Sequence, residues 1–173
     1  MMGKGKASLF LAFAFAFSLV FGTVPVTGAK TVVQVNHADL GKVPYQIVDT
    51  NGDIHSYKTK ADYLAAEKKF REKWSRETDG IRAQASDYAT ESFEHAYFGG
   101  WKYTTPVGYY TNFNNSHYND GVSSLKTARK SSGTQVCYHR DGGEPCKTFG
   151  PGLDIVNVGD GWNDQISYIR VYR

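Results

Sequence analysis

The fold of this chain is indicated by one short stretch that occurs twice, Asn119–Leu125 (NDGVSSL) and Asn163–Ile169 (NDQISYI), at a shift of 44 positions. The same shift pairs residues on both sides of the stretch: Thr104 with Thr148, Gly108 with Gly152, and Tyr118 with Trp162. Residues 93–128 are echoed by residues 138–172 in this way. The end of the chain is therefore predicted to be one supersecondary unit written twice.

The repeated stretch places oxygen donors at matching positions. Asp120 and Asp164 each precede a serine by three positions, Ser123 and Ser167. Carboxylate, hydroxyl and carbonyl oxygens are the ligands of hard cations, so the repeat predicts two oxygen-rich cation sites. Ordinary Asn-Asp turns are the alternative interpretation, because both residues favour turns. Turn propensity alone leaves the repeated serine unexplained.

The residues beyond Ser92 are typical of short strands. They are aromatic and β-branched, and turn signals such as Gly99-Gly100, Asn114-Asn115 and Gly142-Gly143 arrive every several residues. This pattern of strand-forming residues and turns predicts a mainly β protein, folded as an antiparallel sandwich. Two units of about four strands each would form two Greek keys around one core.

Two motifs carry a resemblance to a known family. Phe93–Gly100 reads aromatic, four residues, aromatic, one residue, glycine, and resembles the signature hairpin of the βγ-crystallin family. Asn119–Ser124 resembles that family's calcium motif: two Asn or Asp residues, two free positions, then Ser or Thr and Ser. The resemblance implies a two-motif βγ-crystallin domain of a secreted bacterial member at 91–173, with motif one at 91–130 and motif two at 134–173.

The resemblance also implies calcium ligands in both loops and both hairpins. The implied ligands are Glu94, Asp120, Gly121, Ser123, His139, Asp164, Gln165 and Ser167. In the family, the hairpin of one motif completes the site carried by the other, which would place Glu94 beside Asp164 and Ser167. The carbonyl of His139 would likewise lie beside Asp120 and Ser123. With few protein oxygens per ion, we expect weak to moderate calcium affinity.

The second copy departs from the family pattern. Tyr138 aligns with Phe93, but Gly143 and Pro145 stand where an aromatic residue and a glycine are expected. Tyr168 replaces the final serine of the second loop. We therefore expect two unequal sites.

The start of the chain predicts export. Lys4 and Lys6 precede an apolar run that ends in small residues near Ala29, which is typical of a secretory signal peptide at 1–29. An oxidising compartment favours a disulfide between Cys137 and Cys146, the two cysteines of the sequence. The protein is thus expected to be extracellular, with no membrane span after signal removal.

Residues 30–78 are predicted to form a small hairpin and an amphipathic helix. The runs 45–48 and 54–57 flank Asn51-Gly52, a dipeptide that favours a type I′ turn, and a helix is expected from 61 to about 76. An EF-hand reading fails, because the sixth position of such a loop would be Ile54 instead of glycine. Residues 79–90 are polar and read as a linker.

Composition and motifs restrict the function. The formal charge of +3 falls to +1 without Lys4 and Lys6. This charge is too small to indicate binding to the phosphate backbone of a nucleic acid. The sequence contains no nucleophile elbow, zinc-binding helix or phosphate loop, so an enzyme is not expected. We expect a calcium-binding protein with a structural or surface-interaction role.

Three partner classes follow from these expectations. Calcium is the first. An extracellular protease is the alternative, because the resemblance also covers secreted metalloproteinase inhibitors and killer-toxin-like antimicrobials; its candidate loop is His139–Pro145. A cell-wall glycan is the third, through tyrosines such as Tyr109, Tyr110 and Tyr118.

Overall fold

The computed structural model describes residues 31–34, 44–78, 85–114 and 116–173, the first segment as backbone only. The predicted signal peptide at 1–29 lies outside the described residues. Within them, no helix has the length and apolar character needed to cross a membrane.

The described chain contains eleven strands, one helix and three short 3-10 turns. The strands are β1 Thr31–Gln34, β2 Tyr45–Val48, β3 Ile54–Tyr57, β4 Ala89–His95, β5 Gly99–Pro106, β6 Tyr110–Asn112, β7 Ser124–Lys126, β8 Thr134–His139, β9 Gly143–Phe149, β10 Leu153–Asn157 and β11 Tyr168–Val171. Helix α1 spans Lys60–Thr78, and the 3-10 turns span Ala85–Tyr88, Ala96–Phe98 and Arg140–Gly142. The first sheet has the strand order β1-β10-β7-β4-β5, and the second has β3-β2-β9-β8-β11-β6.

The strands β4–β7 and β8–β11 are two Greek keys that exchange one strand each. In the first key, β4, β5 and β7 lie in the first sheet while the third strand, β6, pairs with β11 in the second. In the second key, β8, β9 and β11 lie in the second sheet while β10 pairs with β7 in the first. The predicted fold class, a sandwich of two Greek keys, is confirmed.

The core between the sheets is built from the inward positions of both keys. Two apolar pairs matched by the 44-residue shift are equally buried: Val122 with Ile166, and Leu125 with Ile169, all at 0% exposure. All four belong to one apolar cluster. The repeated stretch therefore supplies core residues as well as its polar loop.

The hairpin formed by β2 and β3 extends the second sheet. Strand β2 pairs antiparallel with β3 and parallel with β9, so β9 is not an edge strand. The connection is a loop over 49–53 and not a two-residue type I′ turn, because Gly52 (φ 91°) takes a positive φ and Asn51 does not. The Asp49 carboxylate holds this loop by accepting hydrogen bonds from the amides of Asn51 and Asp53.

Helix α1 packs on the outer face of the second sheet. Thr59 caps its start, because the hydroxyl of Thr59 accepts a hydrogen bond from the amide of Asp62 at 3.1 Å. Tyr63 and Trp74 are buried at 2% and 0% exposure, in an apolar cluster with the Cys137–Cys146 pair. That pair forms a disulfide across β8 and β9, as the sequence predicted.

A buried polar network fixes the helix to the sheet. The Glu67 carboxylate accepts hydrogen bonds from the Thr148 hydroxyl at 2.8 Å and from Gln135 Nε2 at 3.3 Å. The Tyr63 hydroxyl lies 2.6 Å from Thr148 Oγ1, and burial together with the Glu67 charge raises the pKa of Tyr63. These hydrogen bonds thus attach helix α1 to the second sheet of the sandwich.

Part of the predicted linker is structured. Residues 79–84 lie outside the described residues, whereas 85–88 form a 3-10 turn and 89–90 begin β4. Thr90 has 0% exposure, and its hydroxyl lies 2.7 Å from Thr134 Oγ1 and accepts a hydrogen bond from the amide of Ala128. A polar segment is typical of a linker, but hydrogen bonds hold the polar Thr90 in the interior of the sandwich.

Candidate functional site

The hairpin between β4 and β5 has the folded geometry that the sequence motif implied. The rings of Phe93 and Phe98 are in edge contact, with centroids 5.5 Å apart. Gly100 has φ 76°, and a Cβ there would lie 2.5 Å from the Cβ of Glu94, so glycine is required. Ser124 holds the turn by donating to the His95 carbonyl at 2.6 Å and accepting from the Phe98 amide. This hairpin presents the Glu94 carbonyl to the first repeated loop.

The two repeated loops have the same local geometry. Asp120 (φ 54°) and Asp164 (φ 55°) are both left-handed, a conformation that Asp and Asn tolerate better than most residues. In each loop the preceding asparagine donates to Oδ2 of the aspartate, at 2.7 Å from Asn119 and 2.8 Å from Asn163. The asparagines therefore orient both carboxylates and leave Oδ1 for another partner.

Each aspartate reaches the serine of the other loop. Ser167 Oγ donates to Asp120 Oδ1 at 2.8 Å, and Ser123 Oγ lies 3.4 Å from Asp164 Oδ1. The structure differs from the predicted grouping of Asp120 with Ser123 and of Asp164 with Ser167. The left-handed backbone turns each carboxylate away from its own loop. The sites are thus crossed between loops.

The first cluster consists of the Glu94 carbonyl, Gly121, Ser123 and Asp164. Ser123 Oγ lies 2.5 Å from the Glu94 carbonyl and 3.4 Å from Asp164 Oδ1. The Ser123 hydroxyl has one proton for two acceptors. One hydrogen atom is therefore shared among three neighbouring oxygens. A hard cation would satisfy all three, which is the donor chemistry that Ca²⁺ takes. The predicted meeting of Glu94 and Asp164 is present here, through Ser123 and not Ser167.

A concave pocket surrounds the first cluster. Its lining comes from the first hairpin, both loops and the end of β10: Glu94, His95, Ala96, Trp101, His117, Gly121, Ser123, Asn157, Asp160, Asn163 and Asp164. Asp160 is an additional carboxylate at this site that sequence reasoning missed. Its matched position in the first copy is Ser116, so the repeat gave no signal for it.

The second cluster contains Asp120 and Ser167, and Gln165 lies in the same loop as Ser167. The amide of Ser167 donates to the Cys137 carbonyl as that of Ser123 donates to the Phe93 carbonyl. Cys137 therefore matches Phe93, and Tyr138 matches Glu94. The predicted ligand His139 lies one position further on, exposed, at the start of the second turn. The difference of one position arises because the sequence alignment matched the aromatic residue Tyr138 with Phe93.

The charges around the two clusters differ. Glu94 and Asp160 line the pocket beside Asp164, whereas Arg140 occupies the second-copy position of Ala96. Arg140 Nη1 lies 3.4 Å from Asn114 Oδ1, in the segment that precedes the first repeated loop, the loop that supplies Asp120. The pocket of the first cluster holds three carboxylates, those of Glu94, Asp160 and Asp164.

In the described residues, no three His, Cys, Asp or Glu side chains come together as a metal cluster. Each crossed site instead pairs the carboxylate of one loop with the hydroxyl of the other, and the first site adds the Glu94 carbonyl. Such a set suits a hard, oxygen-seeking cation and does not suit zinc, which prefers nitrogen and sulfur ligands.

The segment His139–Pro145, the alternative protease-facing loop, is held by internal contacts. The Asn112 carboxamide donates to Asp141 Oδ1 at 2.7 Å and accepts from the Asp141 amide at 2.8 Å. Glu144 forms a hydrogen bond with Tyr45 and an ion pair with Lys60. Both partners lower the pKa of the Glu144 carboxyl.

Of the tyrosines considered for glycan binding, Tyr109 and Tyr110 are exposed, at 61% and 64%. Tyr118 differs, because its ring packs against Trp101 and Tyr103 with centroids 4.8 and 5.1 Å away.

The exchanged third strands, the folded hairpin and the paired loops define a class: a Greek-key sandwich with two crossed, oxygen-lined loop sites. Residues 89–173 form this sandwich. No protein-family model matches the chain, and no curated protein matches it either.

Solved structures similar to the chain are βγ-crystallin domains. One is from Ciona intestinalis (24% identity, 48% of this chain and 98% of that chain covered, TM-score 0.41). Another is a double mutant of a domain from Clostridium beijerinckii (25% identity, 49% and 96% covered, TM-score 0.41). A third is a domain of Abundant Perithecial Protein from Neurospora crassa in its Ca²⁺-bound form (15% identity, 53% and 94% covered, TM-score 0.42). The likeness concerns the fold of about half of the chain.

Proposed function

We propose that this protein is a secreted, non-enzymatic calcium-binding protein in which Ca²⁺ stabilises the sandwich for a structural or surface-interaction role outside the cell. The observation that carries the proposal is the convergence of the Glu94 carbonyl, Ser123 Oγ and Asp164 Oδ1 on one point. Three oxygens from three separate segments share a single proton there.

An ion at either crossed site would join the two Greek keys. In the first cluster, Ser123 comes from the first key and Asp164 from the second; in the other, Asp120 and Ser167 have the reverse origins. Binding therefore favours the assembled sandwich over the unfolded chain. Mass action gives about 2.7 kcal/mol per site at a hundredfold excess of free Ca²⁺ over the dissociation constant.

The two sites are expected to differ in affinity. The pocket of the first cluster holds the additional carboxylates of Glu94 and Asp160, and the second hairpin carries Arg140. Coulomb attraction for a divalent ion is stronger where the surrounding charge is more negative. The first cluster should bind Ca²⁺ more tightly.

The experiment is a calorimetric calcium titration of the chelator-treated protein, with melting temperatures measured in parallel. Asp164→Asn and Asp120→Asn remove one charge each and keep a residue that tolerates the left-handed turn. Asp53→Asn, at an exposed loop position, is the matched control. We expect Asp164→Asn to remove the tighter binding event, Asp120→Asn the weaker one, and the control to leave both.

An unaltered titration in both variants, or no calcium-dependent change in melting temperature, would refute the calcium proposal.

Export is tested separately by sequencing the amino terminus of protein recovered from the culture medium. Inhibition of a thermolysin-like protease by the calcium-free protein would instead favour the inhibitor alternative.

A further inference from the structure

A cationic surface lies where the second half of helix α1 meets the end of β11. Two adjoining pockets there share Arg71 and Arg173. Their charged lining comprises five cationic side chains and one carboxylate: Lys68, Arg71, Arg76, Arg170, Arg173 and Glu72. We call this surface the arginine patch. It is formed by residues outside the two crossed loop sites.

The tyrosine at the centre of the patch orients two of its arginines. The guanidinium of Arg71 lies 3.5 Å from the centroid of the Tyr172 ring, and that of Arg170 lies 4.9 Å from it. Tyr172 is itself fixed, because its hydroxyl donates to Gln135 Oε1 at 3.1 Å. Stacking of a guanidinium on an aromatic ring holds its plane without using its N–H donors.

One buried donor of the patch has no acceptor among the described residues. The Nε of Arg71 is buried and forms no hydrogen bond among the described residues. In the same part of the chain, none of Arg71, Arg76, Arg170 and Arg173 forms an ion pair with a carboxylate. The nearby Glu67 carboxylate is already engaged by Thr148 and Gln135. A buried donor without a partner indicates a missing acceptor.

The backbone makes room for the last arginine. Gly108 has φ 88°, and a Cβ at this position would lie 2.4 Å from Arg173 Nε. The side chain of Arg173 can therefore lie directly against the turn after β5. Any other residue at this turn would displace the guanidinium that both pockets share.

We propose that the arginine patch binds a ligand that carries two neighbouring phosphate groups. Guanidinium groups pair with phosphate oxygens through parallel N–H donors, and the oxygens of a phosphate can accept from several arginines at once. Two pockets that share Arg71 and Arg173 suit two linked phosphates better than one. The site does not depend on calcium.

The test is calorimetric titration with sodium pyrophosphate and with inorganic phosphate, in calcium-free buffer at low ionic strength. Pyrophosphate carries the phosphate pair alone, without a polymer. The variant is Lys68→Gln/Arg76→Gln, two exposed helix positions that line the patch, and the control is Lys58→Gln/Lys69→Gln, two exposed positions that do not. Melting curves check that each variant is folded.

We expect pyrophosphate to bind about tenfold more tightly than inorganic phosphate, and its affinity to fall as salt is raised. The patch variant should weaken pyrophosphate binding about tenfold and the control less than about twofold. Arg173→Lys, which keeps the charge but loses the fork, should also weaken it. Equal weakening by both pairs, or no preference for pyrophosphate over phosphate, would overturn the proposal.

Discussion

The core of the sandwich contains a lysine whose replacement should stabilise the protein. Lys147 has 0% exposure, and its ammonium group donates to the Val158 carbonyl at 3.2 Å and lies 4.8 Å from the centroid of the Trp162 indole. Burial lowers its pKa from 10.5 to about 7. That difference corresponds to a cost of about 5 kcal/mol, on the order-of-magnitude scale of 1.36 kcal/mol per pKa unit.

The substitution Lys147→Met replaces the ammonium group by an apolar side chain of similar length. It removes the desolvation cost but leaves the Val158 carbonyl without its donor, a loss of about 1–3 kcal/mol. The net effect expected at pH 6 is a gain of about 2–4 kcal/mol in the free energy of unfolding. The sign is positive because the lost hydrogen bond is smaller than the cost of a buried charge.

The pH dependence of stability identifies the cause. Between pH 7 and 10 the unfolded chain binds a proton at Lys147 that the folded chain does not, so the wild-type free energy of unfolding should rise with pH in this range. Below about pH 7 both states are protonated and the full cost is present. The rise should be absent in Lys147→Met. Above pH 10 the raised pKa values of the buried Tyr63 and Tyr172 work in the opposite direction.

The assay is guanidinium chloride unfolding, followed by tryptophan fluorescence at pH 6, 7, 8 and 9 in the presence of a chelator. Lys58→Met, at an exposed position, is the control and should change stability little. Destabilisation by Lys147→Met at every pH would refute the reasoning. So would a wild-type stability that stays constant from pH 7 to 9.

Further predictions concern the docked helix, the disulfide and the cation sites. Glu67→Ala should lower the free energy of unfolding by about 3 kcal/mol in chemical denaturation, because it removes the buried carboxylate that accepts from Thr148 and Gln135 and leaves them to the Tyr63 hydroxyl. Reduction of the disulfide should cost about 3 kcal/mol by the chain-entropy model, measured by calorimetry with and without reductant. Saturating Ca²⁺ should raise the melting temperature by about 10 °C, and Asp164→Asn should remove more of this shift than Asp120→Asn. A larger loss with Asp120→Asn would contradict the proposed order of affinities.

The sandwich could be predicted from the sequence because the repeat carries core and loop together. Val122 and Ile166 occupy the same buried position in the two copies, and the polar residues around them form the same turn. A period of 44 residues with turn signals throughout leaves few alternatives to paired Greek keys. The exchange of β6 and β10 between the sheets was not predicted, because the repeat does not show which strands of the two keys pair.

The pairing of the site residues could not be predicted, because sequence order does not give the direction of a side chain. Asp120 and Ser123 are close in the chain, yet the left-handed backbone at Asp120 directs its carboxylate to Ser167. The assignment of His139 in place of Tyr138 has a similar origin. Cys137 takes the place of Phe93, so the aromatic residue that follows it is not the hairpin aromatic.

Other features contradict what residue type suggests. A lysine in a strand predicts a solvated position, but the inward register of Val136 places its partner Lys147 in the core. Thr90 reads as linker, yet its hydroxyl pairs with Thr134 inside the sandwich. In both cases tertiary hydrogen bonds override the local preference, and a single sequence does not show them.

The central claim is that each calcium site joins the aspartate of one loop to the serine of the other. A double-mutant cycle on calcium affinity tests it, with Asp164→Asn combined either with Ser123→Ala or with Ser167→Ala. The crossed geometry predicts a coupling of about 1 kcal/mol between Asp164 and Ser123, and additive effects within about 0.5 kcal/mol for Asp164 and Ser167. Coupling of Asp164 to Ser167, with additive effects for Ser123, would contradict it.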